Sequence, residues 1–320
     1  MSDTRHGFGR SDWYAIGAVV IAGVAIDLAC RLIPADLPMI APFVFNIPIF
    51  AGCWLFAFWY GRGLVRAPAE ARPATWRILC CFVGIVAIYV VAQTRFEYAA
   101  QHMFLLNRVQ QMTLGVFGPF LIAFAWPRDT LARGMPAGLV DFFASRAVQA
   151  PLSVLRHPVV AAIVMLAVTE VWVIPAVDFV SMLDPGLYAV MNLSMIAAGL
   201  LFWLVVLDPR PRPACPYSYF ARMAAGFLTM FPQIGVAAWI ALSQTSFYDF
   251  YALCGRLYPS ISPLHDQLIG GMIQWIPPGM LNTAVLFVLL HALRKQDEKK
   301  SREMVIPPGA KVIEAKWTGR

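Results

Sequence analysis

The charged residues of this chain stand in short blocks, and the blocks are separated by apolar stretches of roughly 20 residues, the length a helix needs to cross a hydrocarbon core of about 30 Å. Such spacing predicts a chain that crosses a membrane repeatedly. Composition agrees, since 13% of the 320 residues are charged and 59% are hydrophobic, whereas soluble domains carry roughly 25% charge. The expected fold class is all-α, a polytopic transmembrane helical bundle of eight helices at 13–33, 39–60, 77–94, 103–126, 158–178, 187–207, 222–242 and 267–291. The chain then divides into a cytoplasmic N-terminal segment (1–12), the bundle (13–291) and a basic cytoplasmic tail (292–320).

Lysine and arginine set the orientation, because positive connections stay on the cytoplasmic side. With the N-terminus inside, the inner segments hold Arg5 and Arg10; Arg62, Arg66, Arg72 and Arg77; Arg128, Arg133, Arg146 and Arg156; Arg210, Arg212 and Arg222; and eight more after His291. These are 21 of 25, leaving Arg31, Arg95, Arg108 and Arg256 for the outer half. An odd number of helices would put either the first arginines or the basic tail outside. Both termini are therefore expected in the cytoplasm, across a bacterial-type inner membrane. The net charge of +7 is assigned to anionic lipid headgroups, not to nucleic acid.

The first apolar run, Trp13 to Leu28, has Asp27 and Arg31 near its end and no small-residue cleavage site after it, so it reads as a retained helix. Six cysteines (Cys30, Cys53, Cys80, Cys81, Cys215 and Cys254) form no Cys-x-x-Cys pair and read as packing residues. Within the inner connection from Pro127 to Pro158, the mixed stretch Gly138 to Leu155 predicts a short amphipathic helix at the interface. The tail, broken at Pro307-Pro308-Gly309, is expected to be flexible or to lie on the inner surface.

Polar side chains are costly in hydrocarbon and normally face the bundle interior or a watery cavity. In this topology Asn107, Arg108, Gln110 and Gln111 fall in the outer third of the fourth helix, Glu170 and Asp178 near the outer end of the fifth, and Asn192 one turn into the sixth. His265, Asp266, Gln267 and, deeper, Gln274 belong to the start of the last helix, while Asp27 and Asn46 lie toward the outer half of the first two. Asn107 and Gln111 share a helix face, as do Gln267, Gly271 and Gln274. Two readings stay open, a periplasm-facing polar pocket and a network of hydrogen bonds between helices. Arg108 needs a carboxylate partner or a route to water, and Glu170 and Asp266 are the expected partners. Pro119 and Pro175 should kink their helices, and Ile276-Pro277-Pro278-Gly279 predicts an interruption of the last one.

The same residues carry a resemblance. Asn107-Arg108-Val109-Gln110-Gln111-Met112 leading to Gly118-Pro119, Trp172-Val173-Ile174-Pro175, Asn192 with Leu201-Phe202-Trp203, and the run from Asp266-Gln267 through Gly270-Gly271 to Gln274-Trp275 resemble the CtaG family of membrane proteins. The resemblance covers roughly 40–292 and implies a part in assembling a caa-type haem-copper cytochrome c oxidase. It also implies histidines where this chain has Asn107, Gln111, Val173 and Asn192, and carboxamides or valine are poor substitutes for imidazole as copper ligands. His102, His265, Met103, Met112, Met191 and Met195 are the residues from which a replacement site could be drawn.

No Ser-His-Asp order, phosphate-binding glycine loop, His-Glu-x-x-His or Cys-x-x-Cys-His motif is present, so enzymatic catalysis is not expected. The leading expectation is an assembly or accessory factor with an oxidase subunit and membrane lipids as partners and no cofactor of its own. A transporter or small-molecule binding protein, suggested by the broken last helix, and a structural subunit of a larger membrane complex are the alternatives.

Overall fold

The computed structural model describes residues 8–33, 36–210, 215–253 and 255–303. Arg5, Arg212, Cys254 and the Pro307-Pro308-Gly309 break lie outside the described residues. All regular structure among those described is helical. Each expected apolar segment overlaps helix, although the second is helical only from Ile47 on and the fifth is split: α1 (Arg10–Leu32), α2 (Ile47–Arg66), α3 (Thr75–Ala92), then beyond a short α4 (Phe96–Ala100) a composite of α5 (Phe104–Met112), a π-helical segment (Thr113–Phe117) and α6 (Gly118–Ala125). The short helices α7 (Arg128–Gly134), α8 (Ala137–Ala144) and α9 (Arg146–Leu155) lead to α10 (Pro158–Val171) and α11 (Pro175–Leu183), and the chain continues as α12 (Pro185–Val206), α13 (Tyr219–Leu242) and α14 (Pro263–Glu303).

Five helices, α1, α3, α12, α13 and α14, are long and apolar enough to cross a membrane, and up to seven spans result if the bent pairs α5–α6 with α7 and α9 with α10 each count as one. The eighth expected position is α2, which carries Arg62 and Arg66 in its last turns. Polarity is turned inside out relative to a soluble fold. Asn107, Arg108, Gln110 and Gln111 are 0% exposed, while Ile21 is 72%, Phe231 62% and Phe287 67% exposed. Left in water, each such apolar side chain forfeits roughly 1.5–3 kcal/mol of burial; against lipid tails it forfeits nothing.

The four prolines expected to disturb helices, Pro119, Pro175, Pro277 and Pro278, behave differently from expectation. Pro119 is accommodated by the π-helical segment, where the Gly118 amide bonds Thr113 O five residues back, so that the proline falls in the first turn of α6, where no amide is needed. The carbonyl of Gly115, four residues before Pro119, faces α12: a Cβ on Gly199 would lie 2.0 Å from it, so only glycine allows this crossing. Pro175 does not kink a continuous helix but starts a new one, α11, after the turn Trp172–Ile174, and the Tyr248 hydroxyl donates to Val173 O at 2.6 Å to satisfy the break. The expected interruption at Ile276-Pro277-Pro278-Gly279 is absent, because α14 runs unbroken through Pro277 and Pro278. Two prolines deprive the carbonyls of Ile273 and Gln274 of their amide donors, but abandoning the helix in an apolar layer would strand more groups. The long packing against α13, the most extensive helix pair, holds α14 in place.

The stretch Gly138 to Leu155 forms two short helices instead of one, α8 and α9, separated at Ser145. Chain direction changes by 79° from α9 to α10 and by 77° from α6 to α7. Where α6 and α10 cross a membrane, α7 and α9 therefore run along its surface.

Candidate functional site

The polar residues of α5 sit at the centre of the bundle, but they do not form one cluster. Arg108 is the hub. Its guanidinium donates to Asn107 Oδ1 at 2.6 Å and, at a longer 3.5 Å, to Gln274 Oε1 of α14. It lies over the Phe104 ring at 4.8 Å and 3.9 Å from Asp178 Oδ1 of α11. That separation exceeds a hydrogen bond, so the attraction is through space. The other oxygen of Asp178 accepts from the Tyr251 hydroxyl at 3.0 Å. Arg108 and Asp178 are both 0% exposed, and the pair expected from sequence with Glu170 or Asp266 is replaced by one with Asp178.

Glu170 is half-buried at the end of α10, within electrostatic reach of Arg108, and both its carboxylate oxygens lack a hydrogen-bond partner. Unpartnered buried atoms recur at the hub, on Asn107 Nδ2, Arg108 Nε, Asp178 Oδ1 and Gln274 Nε2, and Gln111 Oε1 and both polar atoms of Asn192 also lack partners. Buried polar groups are almost always hydrogen-bonded.

Four expected members, Gln110, Gln111, Asp266 and Gln267, serve elsewhere. Gln110 bridges the Tyr188 hydroxyl (2.5 Å) and Val91 O (2.9 Å), joining α5 to α12 and α3. Gln111 donates to the Met191 sulfur at 3.2 Å. Asp266 caps α5 from α14, its two oxygens accepting the amides of Phe104 (3.0 Å) and Leu105 (2.8 Å), and it pairs with Arg256 at 2.7 Å. Gln267 fastens the α13–α14 connection, accepting from the Phe247 amide at 2.7 Å and donating to Ile240 O and Thr245 O, each at 3.0 Å. His265 is exposed and His102 turns its Nδ1 to Tyr98 O at 2.8 Å. Neither Asp27, paired with Arg31, nor Asn46, which caps α2, joins the hub.

Gly270 and Gly271 make the arrangement possible from two sides. A Cβ on Gly270 would strike the Phe104 ring at 2.4 Å and approach Arg108 Cγ at 3.3 Å, and one on Gly271 would meet Ala241 of α13 at 2.8 Å. Sequence reasoning missed Tyr188, Tyr248, Tyr251, Arg256 and Glu97. Tyrosine reads as apolar in a hydropathy pass although its hydroxyl needs a partner when buried. Glu97, on α4, is 3% exposed with an unpartnered oxygen, and burial pushes its carboxyl up to about 8.

Met103, Met112, Met191 and Met195 are all fully buried. Among the described residues no group of three or more His, Cys, Asp or Glu side chains could hold a metal ion.

Fold and site together define a helical, membrane-associated protein with a buried polar network between its central helices. Residues 58–296 match the model of the cytochrome c oxidase caa3 assembly factor family (Caa3_CtaG), and the chain belongs to that family. Among curated proteins it is similar to uncharacterized protein Mb0105 of Mycobacterium bovis and uncharacterized protein MT0111 of Mycobacterium tuberculosis, each 24% identical over 273 residues, which is 81% of this chain and 40% of either relative. The chain thus spans less than half the length of the curated relatives it matches. No solved structure matches it.

Proposed function

We propose that the chain is a non-enzymatic assembly or accessory factor for a respiratory haem-copper cytochrome oxidase, acting through the polar groups around Arg108 and without a histidine copper site. The observation that carries the proposal is the Arg108 hub itself, an ion pair with unpartnered donors and acceptors, held in a chain whose family assembles an oxidase. The donor set does not fit copper. At the positions where the family resemblance implies imidazoles stand the carboxamides of Asn107, Gln111 and Asn192 and the alkyl side chain of Val173. Amide oxygens are hard, weak donors, whereas copper prefers nitrogen or sulfur, and the Gln111 amide nitrogen is directed at the Met191 thioether. Hydrogen bonding to a partner helix, a headgroup or a small ligand is the chemistry these groups can offer.

The topology that accompanies this proposal places both termini in the cytoplasm and the Arg108 hub in the outer half of the bundle. A transporter reading draws on an interrupted last helix and loses that support, since α14 is continuous. Deleting the gene and measuring assembled oxidase by haem spectra tests the proposal, with loss of oxidase expected. An unchanged oxidase level under conditions that induce the enzyme would overturn it. Purified protein should retain less than about 0.2 copper per chain after mild chelation, well short of an occupied high-affinity site.

A further inference from the structure

We propose that the junctions following α6, α9 and α12 form a phosphate-binding site built from Arg128, Arg156, Arg210 and Arg222. The Trp126 ring beneath the Arg210 guanidinium joins the end of α6 to the end of α12, and Arg156 at the end of α9 lies within electrostatic reach of Arg128 and Arg210. Arg128 opens α7 just after the sharp turn out of α6, Arg156 closes α9 just before the turn into α10, and Arg210 follows the end of α12. Trp126, which ends α6 at φ 52°, is the one non-glycine residue in the left-handed region among those described. Its ring lies 5.4 Å under the Arg210 guanidinium.

Asp208 organises the group. It accepts Arg210 Nε on both oxygens, at 2.9 and 3.1 Å, and its backbone carbonyl accepts Arg222. Arg222 is 1% exposed, stacks on Tyr219 at 4.3 Å, also donates to Val206 O, and has an Nε with no partner. Arg156 donates to Gln149 Oε1 at 3.0 Å and is held below the usual arginine range, first by burial and then by repulsion from Arg128 and Arg210, with Asp208 offsetting part of it. Arg210 also feels Asp129. Asp208 and Asp129 are the carboxylates whose charges reach Arg156 or Arg210, and Asp208 is already engaged by Arg210.

Like charges gathered at chain breaks repel unless an anion sits among them. Guanidinium forks match the oxygens of a phosphate in particular. The helices that turn here do so by 77° and 79°, as chain does on meeting a membrane surface, and Arg128 and Arg156 are exposed where headgroup phosphates lie. A lipid phosphodiester and free phosphate share this chemistry, and the test separates them.

The full chain in detergent should be titrated with phosphatidylglycerol, with phosphatidylcholine and with inorganic phosphate, following thermal unfolding and lipid retained in native mass spectra. Wild type should be stabilised by phosphatidylglycerol in preference to phosphatidylcholine. The double variant Arg128→Gln/Arg156→Gln should bind it about thirty-fold more weakly, near fivefold for each arginine. Arg146→Gln, an exposed arginine of α9 outside the group, should bind as wild type. Equal stabilisation by inorganic phosphate would support the site and assign it to a soluble anion. If phosphatidylglycerol and phosphatidylcholine act alike and phosphate does nothing, or if Arg146→Gln loses as much as the double variant, the proposal is overturned. Should the double variant not fold, the headgroup preference of wild type decides.

Discussion

Replacing Arg108 by methionine keeps a long apolar stem beside Phe104 and removes the charge. The arginine is 0% exposed, and its guanidinium is the one cation paired with Asp178 and the one donor to Asn107 Oδ1. After Arg108→Met, Asp178 retains only the Tyr251 hydroxyl, on Oδ2, and a carboxylate is left buried without a counter-charge. Breaking a buried pair from one side costs about 3–5 kcal/mol. The lost hydrogen bond to Asn107 is part of the same network and is not added to it. About 4 kcal/mol is a large share of the roughly 5–15 kcal/mol that holds a typical domain together, so folded yield should fall and the melting temperature should drop by on the order of 10 °C. Tryptophan fluorescence during thermal unfolding in detergent measures it. The decisive comparison is Arg108→Met/Asp178→Asn, which removes both charges. If the stranded carboxylate causes the loss, the double variant melts higher than Arg108→Met alone. A single variant with wild-type melting, or a double variant no better than the single, would refute the pairing.

Glu97→Gln should change how stability depends on pH. With its carboxyl raised from 4.5 to about 8 in the folded chain, the folded state keeps a proton that the unfolded state releases, so stability is full below the unfolded value and falls as pH rises through about 8. The variant should flatten the decline of melting temperature between about pH 5 and 8, and equal slopes would count against a buried Glu97. Gly199→Ala puts a Cβ 2.0 Å from the backbone oxygen of Gly115, which cannot rotate away, and should cost about 1–3 kcal/mol or more by overpacking, read as lower folded yield than Gly235→Ala, where a Cβ meets nothing within 4 Å. Asp266→Asn removes the charge that caps α5 and pairs with Arg256, and should cost about 0.5–2 kcal/mol through the cap with faster hydrogen exchange at residues 104–106. Reporter fusions after Arg72 and Arg133 should report cytoplasm and fusions near Asp184 and Ser260 periplasm, and exchange of these outcomes would sink the orientation.

The positions of the helices were legible in the sequence because lipid-length apolar runs are long and the signal repeats. Which polar residues turn inward was legible for a related reason. Asn107, Arg108, Gln110 and Gln111 on one apolar segment have nowhere else to go, and all four are fully buried. Their partners were not legible. Pairing depends on how far each helix is rotated about its axis, and a shift of one residue turns a side chain by about 100°, so Asp178 and Glu170, both carboxylates near the same end, could not be ranked from spacing. The prolines show a second limit. Pro277 and Pro278 carry a strong local preference for a break, but α13 packed along α14 and the absence of competing partners in an apolar layer override it.

The run from Asp266 to Gln274 acts mainly by setting how the central helices stand against one another. Its members face different neighbours and do different things. Asp266 holds the first amides of α5, Gln267 holds the α13–α14 connection, Gly271 lets α13 approach, and Gly270 leaves room for Phe104 and Arg108. Only Gln274 reaches the hub, through its oxygen to Arg108. Two of the five, Asp266 and Gly270, therefore fix the height and rotation of α5 against α14, while Gln267 and Gly271 fix α13 against α14. Asn107 and Gln111 bond other partners, Arg108 and Met191, so substitution at either should leave that placement intact. Arg108 is the α5 group whose placement depends on this run most directly, since Gly270 leaves room for its stem and Gln274 accepts from its guanidinium.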